Sequence, residues 1–89
     1  MNCKVEQFEG RNGTVKNQFL VRTSEGVYFQ SYNSMIAFKP FSGGKIQLDR
    51  ATWDYSVTTG RYRNQFLNET KKETEAKIKS GEYILTDLN

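Results

Sequence analysis

From residue 2 to residue 48 the chain meets a turn signal every eight to twelve residues: Asn12-Gly13, Ser24-Glu25-Gly26, Asn33-Ser34 and Ser42-Gly43-Gly44. Short runs bounded at that spacing pair as an antiparallel meander, here of four or five strands. Asn12-Gly13 is the strongest two-residue hairpin signal, because a type I′ turn needs positive φ at both central positions. Residues 2–8 form an edge strand with Cys3, Val5 and Gln7 on one face and Lys4, Glu6 and Phe8 on the other. The chain returns through residues 14–22, where Phe19 and Val21 share a face, and continues through 27–32 and 35–38. Asn33-Ser34 is a tight turn or a bulge. Pro40 cannot donate to a ladder, so the residues after it make an edge or a turn before a short strand at 45–48.

After Leu48 the period changes. Ser56 suits a helix N-cap, and Thr59, Tyr62, Phe66 and Leu67 make a helical stripe, so a helix is expected over 56–67. Gly60 weakens it by about 1 kcal/mol relative to Ala, unless another backbone approaches closely there. Thr70-Lys-Lys-Glu73 fits a capping box for a second, mostly solvated helix over 71–79, with Ala76 and Ile78 its apolar residues. Gly81 is its stop signal, and residues 82–86 are a last strand. The expectation is a single α+β domain over 1–89. An antiparallel sheet of four to six strands carries both helices on one face or edge. Trp53, Tyr62, Phe66, Phe19, Val21, Ile36, Leu48 and Leu85 are expected to be mostly buried.

Several kinds of chemistry are excluded for want of parts. The chain has no His, so neither a Ser-His-Asp nor a Cys-His arrangement can be built. Cys3 is the only cysteine, with no identifiable activating base, no disulfide partner and no companions for zinc. Gly43-Gly44 lacks the spacing and the following Lys-Ser/Thr of a phosphate loop. Asp49 reads as a turn or cap residue, and Asp54 as a partner of Arg61 or of a backbone amide, rather than as a catalytic pair. No enzyme, no cofactor and no metal are expected. No apolar stretch reaches the ~20 residues of a membrane span and no signal-peptide core is present, so the reading is a cytoplasmic protein without a membrane partner.

The run Tyr32-Asn-Ser-Met-Ile-Ala-Phe38, then Trp53-Asp-Tyr-Ser-Val-Thr-Thr59, Arg63-Asn-Gln-Phe-Leu67 and Ile78-Lys-Ser-Gly-Glu-Tyr83, resembles a family of small bacteriophage proteins of unknown function. The resemblance covers residues 28–89, and its Trp-Asp-Tyr-Ser-x-Thr-Thr element is the most specific part. It implies a phage accessory protein acting in the infected bacterial cell, and it transfers no active site. Some small phage proteins blunt host defence, and the resemblance points in that direction. The expected function is therefore a non-enzymatic inhibitor that binds a host protein, such as a component of a CRISPR or other nucleoprotein defence complex.

Two stretches supply candidate contacts. Tyr28, Gln30 and Tyr32 form a Tyr-rich surface if Phe29 faces the core; alternatively Tyr28 and Tyr32 are core and a helix covers Phe29. Tyr55, Arg61 and Arg63 complete the expected protein-binding set. The alternative function is a nucleic-acid module in which Arg50, Arg61, Arg63, Lys71 and Lys72 contact phosphates while Tyr55 or Tyr62 stacks a base. Against it, Tyr62 and Phe66 can be core while the arginines face solvent or pair with Asp54 and Glu69. On a helix Arg61 and Arg63 diverge by about 200°, so they cannot form one tight cluster. The net charge is only +3, with +3 in the window 50–72 and −2 over 73–89. The edge strand at 2–8 also leaves a homodimer open.

Overall fold

The computed structural model describes residues 3–11 and 13–89. Six strands form one sheet in chain order: β1 (Cys3–Gly10), β2 (Gly13–Thr23), β3 (Gly26–Ser31), β4 (Ser34–Pro40), β5 (Gln47–Asp49) and β6 (Ile84–Thr86). Helices α1 (Val57–Leu67) and α2 (Lys71–Lys79) lie between β5 and β6. The fold is α+β as expected, with one departure. The first five strands are antiparallel, but β6 runs parallel to β5, because two helices intervene and return the chain in the same direction. Asn12 lies outside the described residues, and its neighbour Gly13 has φ 108. Turn and bulge both occur near Asn33: Tyr32 and Asn33 make the turn, with Tyr32 at φ 55, and the ladder shifts between Phe29 and Gln30. Gly26 is obligatory in the next turn back, since a Cβ there would stand 2.2 Å from the Lys39 carbonyl oxygen.

Directly paired residues point to the same side of a sheet, so the ladder defines its two faces. One row is Leu20, Phe29, Ala37, Leu48 and Leu85. Phe29 of that row meets Phe8 and Phe66 at ring-centroid distances of 5.4 and 5.6 Å, and Ser31 Oγ lies 2.8 Å from Thr59 Oγ1. This is the face α1 covers. The adjoining row is Val5, Val21, Tyr28, Phe38, Gln47 and Ile84, and the main core cluster includes none of these six. Phe19 and Val21 lie on the other face, where Val21 is buried as expected and Phe19 only half-buried; Gln18 and Leu20 point toward α1 instead. Ile36, Leu48 and Phe66 are buried core residues, whereas Trp53, Tyr62 and Leu85 are half-buried at its margin.

Local chemistry sets the helix ends. Ser56 Oγ accepts the Thr59 N–H at 3.0 Å, the Thr70–Glu73 capping box is formed, and Gly81 has φ 81 just past α2. In α2, Ala76 is exposed and Thr74 is buried, because the Thr74 hydroxyl donates to Glu69 Oε2 at 2.6 Å. Glu69 does not pair with an arginine. Its Oε1 accepts from Lys77 Nζ at 2.7 Å and from the Tyr83 hydroxyl at 2.8 Å, joining the end of α1 to α2 and to the start of β6. Burial alone would raise this carboxyl, but the bonds from Lys77, Thr74 and Tyr83 outweigh it and hold it below the ordinary value. The Tyr83 phenol is pushed up to about 12 by burial first and then by Glu69.

A carboxylate held below its unfolded pKa contributes stability above that unfolded value and loses it as pH falls through the folded one. Glu69, Asp49 and Asp54 are all held down in this way. The thermal midpoint is therefore expected to fall as pH drops below about 4. Glu69→Gln should cost about 1–3 kcal/mol at neutral pH and flatten that acid limb, measured by thermal denaturation across pH.

Candidate functional site

The segment between β5 and α1 is shaped by Asp49 and Arg63. Asp49, buried at the end of β5, accepts the N–H groups of Ala51 and Thr52 on Oδ2 and that of Leu88 on Oδ1, at 2.8–3.1 Å. Burial would raise its carboxyl, but the Leu88 and Thr52 bonds dominate and hold it below the ordinary value. From the end of β5 Asp49 caps the following turn through Oδ2, as its sequence position predicts, and holds the segment after β6 through Oδ1.

Arg63 is 1% exposed, so it is not the surface contact that either reading of the sequence made it. Its Nη1 donates to the Trp53 carbonyl at 2.6 Å and to Asp54 Oδ1 at 3.2 Å, Nη2 donates to Asn64 Oδ1 at 2.9 Å, and the guanidinium lies 5.2 Å from the Trp53 ring centroid. Planar donors spread over that many acceptors suit an arginine and not a lysine. Asp54 pairs with Arg63 and with Lys71 (2.8 Å), not with Arg61. Burial would lift its carboxyl, yet Lys71 and then Arg63 hold it down. What approaches Gly60 is the Arg63 guanidinium, 3.5 Å from where a Cβ would sit, and not another backbone.

Asp54, Tyr55, Gly60, Arg61, Arg63 and Lys71 line an open depression of about 570 Å³ at the start of α1. The structure thus gathers Tyr55, Arg61 and Lys71 at one place, but only Arg61 as a free charge among the described residues. Lys71 is tied to Asp54, and Arg50 pairs with Asp87 at 3.0 Å, away from this depression. Among the described residues Arg61 and Lys72 have no ion-pair partner. Two basic residues escaped the sequence reading. Arg11 and Lys16, on and beside the β1–β2 turn, line a second depression of about 380 Å³ with Arg61, Tyr62 and Gln65. The Arg11 N–H donates to Gln65 Oε1 at 3.1 Å, which brings the turn to α1. Their separation in sequence from Arg61 hid this, and only the long-range packing reveals it.

The helix-free face of the sheet holds the other candidates. Phe29 is core, so the arrangement with Tyr28 and Gln30 on the opposite face is the one adopted. Tyr28 rests on Phe38 with ring centroids 4.4 Å apart, and Gln30 Nε2 donates to the Tyr32 carbonyl at 2.7 Å. Tyr32 is 52% exposed in the turn at one end of the strands. At the other end Phe38, Pro40, Phe41, Lys45, Gln47 and Ile84 line a groove of about 670 Å³, with Phe41 64% exposed. Aromatic and aliphatic groups, some buried by their neighbours and some free, give a surface able to desolvate against a partner.

The chain belongs to a family of unknown function (DUF8033), whose pattern matches residues 3–82. No curated protein and no solved structure matches it. No helix among the described residues is long and apolar enough to cross a membrane.

Arg63→Ala would leave the Trp53 carbonyl and Asp54 without their buried donor. The expected loss is about 2–4 kcal/mol of unfolding free energy, read from urea denaturation, with Arg63→Lys recovering only part of it.

Proposed function

We propose that this member of the family is a phage-encoded, non-enzymatic binding protein that inhibits a host factor, a defence component of the CRISPR-effector kind, in the cytoplasm of the infected cell. The observation that carries the reading is the sheet with its helices on one face only, whose other face bears Tyr28, Phe38, Phe41 and Ile84, the last two of them exposed. A single-layer sheet leaves such a face wet unless something covers it. Tyr32, at the end of the strands, adds a large ring at low entropy cost. The resemblance to small phage proteins supplies the origin, and a pull-down supplies the target.

A second reading, a nucleic-acid module, is favoured by one observation: Arg61 lies beside Arg11 and Lys16, and Lys72 is likewise unpaired among the described residues. It would use these four rather than Arg50, Arg63 and Lys71, whose charges are internally matched. Binding of this kind weakens steeply with salt.

A tagged pull-down from host lysate at low and high salt, with and without nuclease, separates the two. The inhibitor reading expects one stoichiometric protein retained through both treatments. Its capture should weaken about tenfold or more with Phe41→Ala and Tyr32→Ala and stay unchanged with Arg61→Glu. Capture lost to salt or nuclease transfers the function to the basic cluster, and capture of no protein counts against inhibition.

A further inference from the structure

The sheet has two edges, and they differ. β6 is three residues long, too short to template much pairing, whereas β1 offers eight residues with no strand on its outer side among the described residues. Long free edges are commonly blunted by charges and bulges. Here the bulge falls late, where the ladder shifts between Gln7 and Glu9, leaving Cys3–Gln7 as the regular stretch. Within it Cys3, Lys4, Val5 and Gln7 are exposed, Val5 by 61%. Lys4 sits directly opposite Arg22 on β2, a like-charge pairing that costs stability, and it has no acidic partner among the described residues. Glu6 bonds Arg22 through Oε1.

We propose that β1 pairs antiparallel with β1 of a second copy about a two-fold axis at Val5, joining two sheets into one. The charges select both the occupant and the register. An axis at Lys4 sets Lys4 against Lys4, and an axis at Glu6 sets Glu6 against Glu6. An axis at Gln7 runs the pairing into the bulge. The axis at Val5 uses the whole regular stretch: Cys3 faces the second copy's Gln7, Lys4 faces its Glu6, and Val5 faces its own equivalent. Symmetry makes the Lys4–Glu6 pair twice and relieves Lys4 of facing only Arg22. Side chains keep their faces in this register. The exposed Val5 therefore becomes the centre of a row that runs through Val21 and Tyr28 in both copies. This dimer stands or falls independently of the host target, because it uses the edge of the sheet and not its open face.

Sedimentation equilibrium gives the mass, and charge and cysteine variants give the register. The protein should be a dimer. Lys4→Glu should weaken dimerisation about tenfold or more, and Lys4→Glu combined with Glu6→Lys should restore it. Both positions are on the solvated edge, and circular dichroism checks that the variants fold. In a Cys3→Ser background, Val5→Cys should form a disulfide-linked dimer under mild oxidation, its Cα atoms being about 4.5–5.5 Å apart across the axis. Native Cys3, about 14 Å from its equivalent in this register, should not. A monomer at every concentration up to about 1 mM would overturn the proposal. So would a dimer in which Val5→Cys fails to cross-link or the double charge exchange fails to rescue.

Discussion

The contact on which the rest depends is the stack of Phe8, Phe29 and Phe66. A chain of 89 residues buries only about two-thirds of its unfolded surface, so it has one core and little redundancy. Phe29 is fully buried at the middle of the sheet, and its ring meets one ring from the edge strand β1 and one from α1. That arrangement fixes which face of the sheet the helix covers. The placement of Lys39 depends on it: on the same face, its ammonium lies 4.4 Å from the Phe66 ring centroid and donates to the Phe66 carbonyl, satisfying an acceptor near the end of α1. Burial lowers the Lys39 pKa, against the pull of Glu69. Beyond this cluster, three joints of the molecule are polar.

Those joints share a design. Asp49, Arg63 and Glu69 are each buried or nearly so, and each is bonded to groups from distant parts of the chain. Asp49 reaches the segment after β6, Arg63 reaches the turn before α1, and Glu69 reaches α2 and Tyr83. A buried charge is costly unless its bonds are satisfied, so each joint specifies one arrangement more than it adds net stability. Two side-chain atoms remain buried without a partner among the described residues, Gln18 Oε1 and Arg63 Nε.

The parts of this fold governed by neighbouring residues were legible in the sequence. The Ser56 cap, the Thr70–Glu73 box and the Gly81 stop all depend on chemistry within about one helical turn, and all three formed. Where a distant choice decided the outcome, legibility ended. The stripe Thr59, Tyr62, Phe66 and Leu67 is helical, but so is Thr59, Arg63, Phe66 and Leu67, and the second is the buried one. Ordinary polarity ranks Tyr62 inward and Arg63 outward. The Trp53 carbonyl and Asp54 reverse that ranking, and neither alignment can be seen before the chain folds. The same holds for Phe19 and Val21, whose shared face was clear while the side bearing α1 was not. Of the candidate contacts, Tyr28 lies on the face opposite Phe29 but half-buried beside Phe38, Tyr32 is exposed, and Tyr55 and Arg61 line one depression. The matched charges of Arg50, Arg63 and Lys71 could be known only from their partners.

The parallel placement of β6 bears on the order in which the sheet can be completed. Strands β1 to β5 follow one another and pair with their chain neighbours, so each pairing closes a short loop. No tight turn can make a parallel pair. β6 reaches β5 only after the chain has passed through residues 50–83, which contain both helices. Contact order is therefore divided within one small molecule: a local meander, then a single long-range closure. That closure carries the Asp49–Leu88 bond and the paired bonds between Asn89 and Met35 with it. The last strand acts as a latch, holding the helical segment to a sheet whose other pairings are already complete without it.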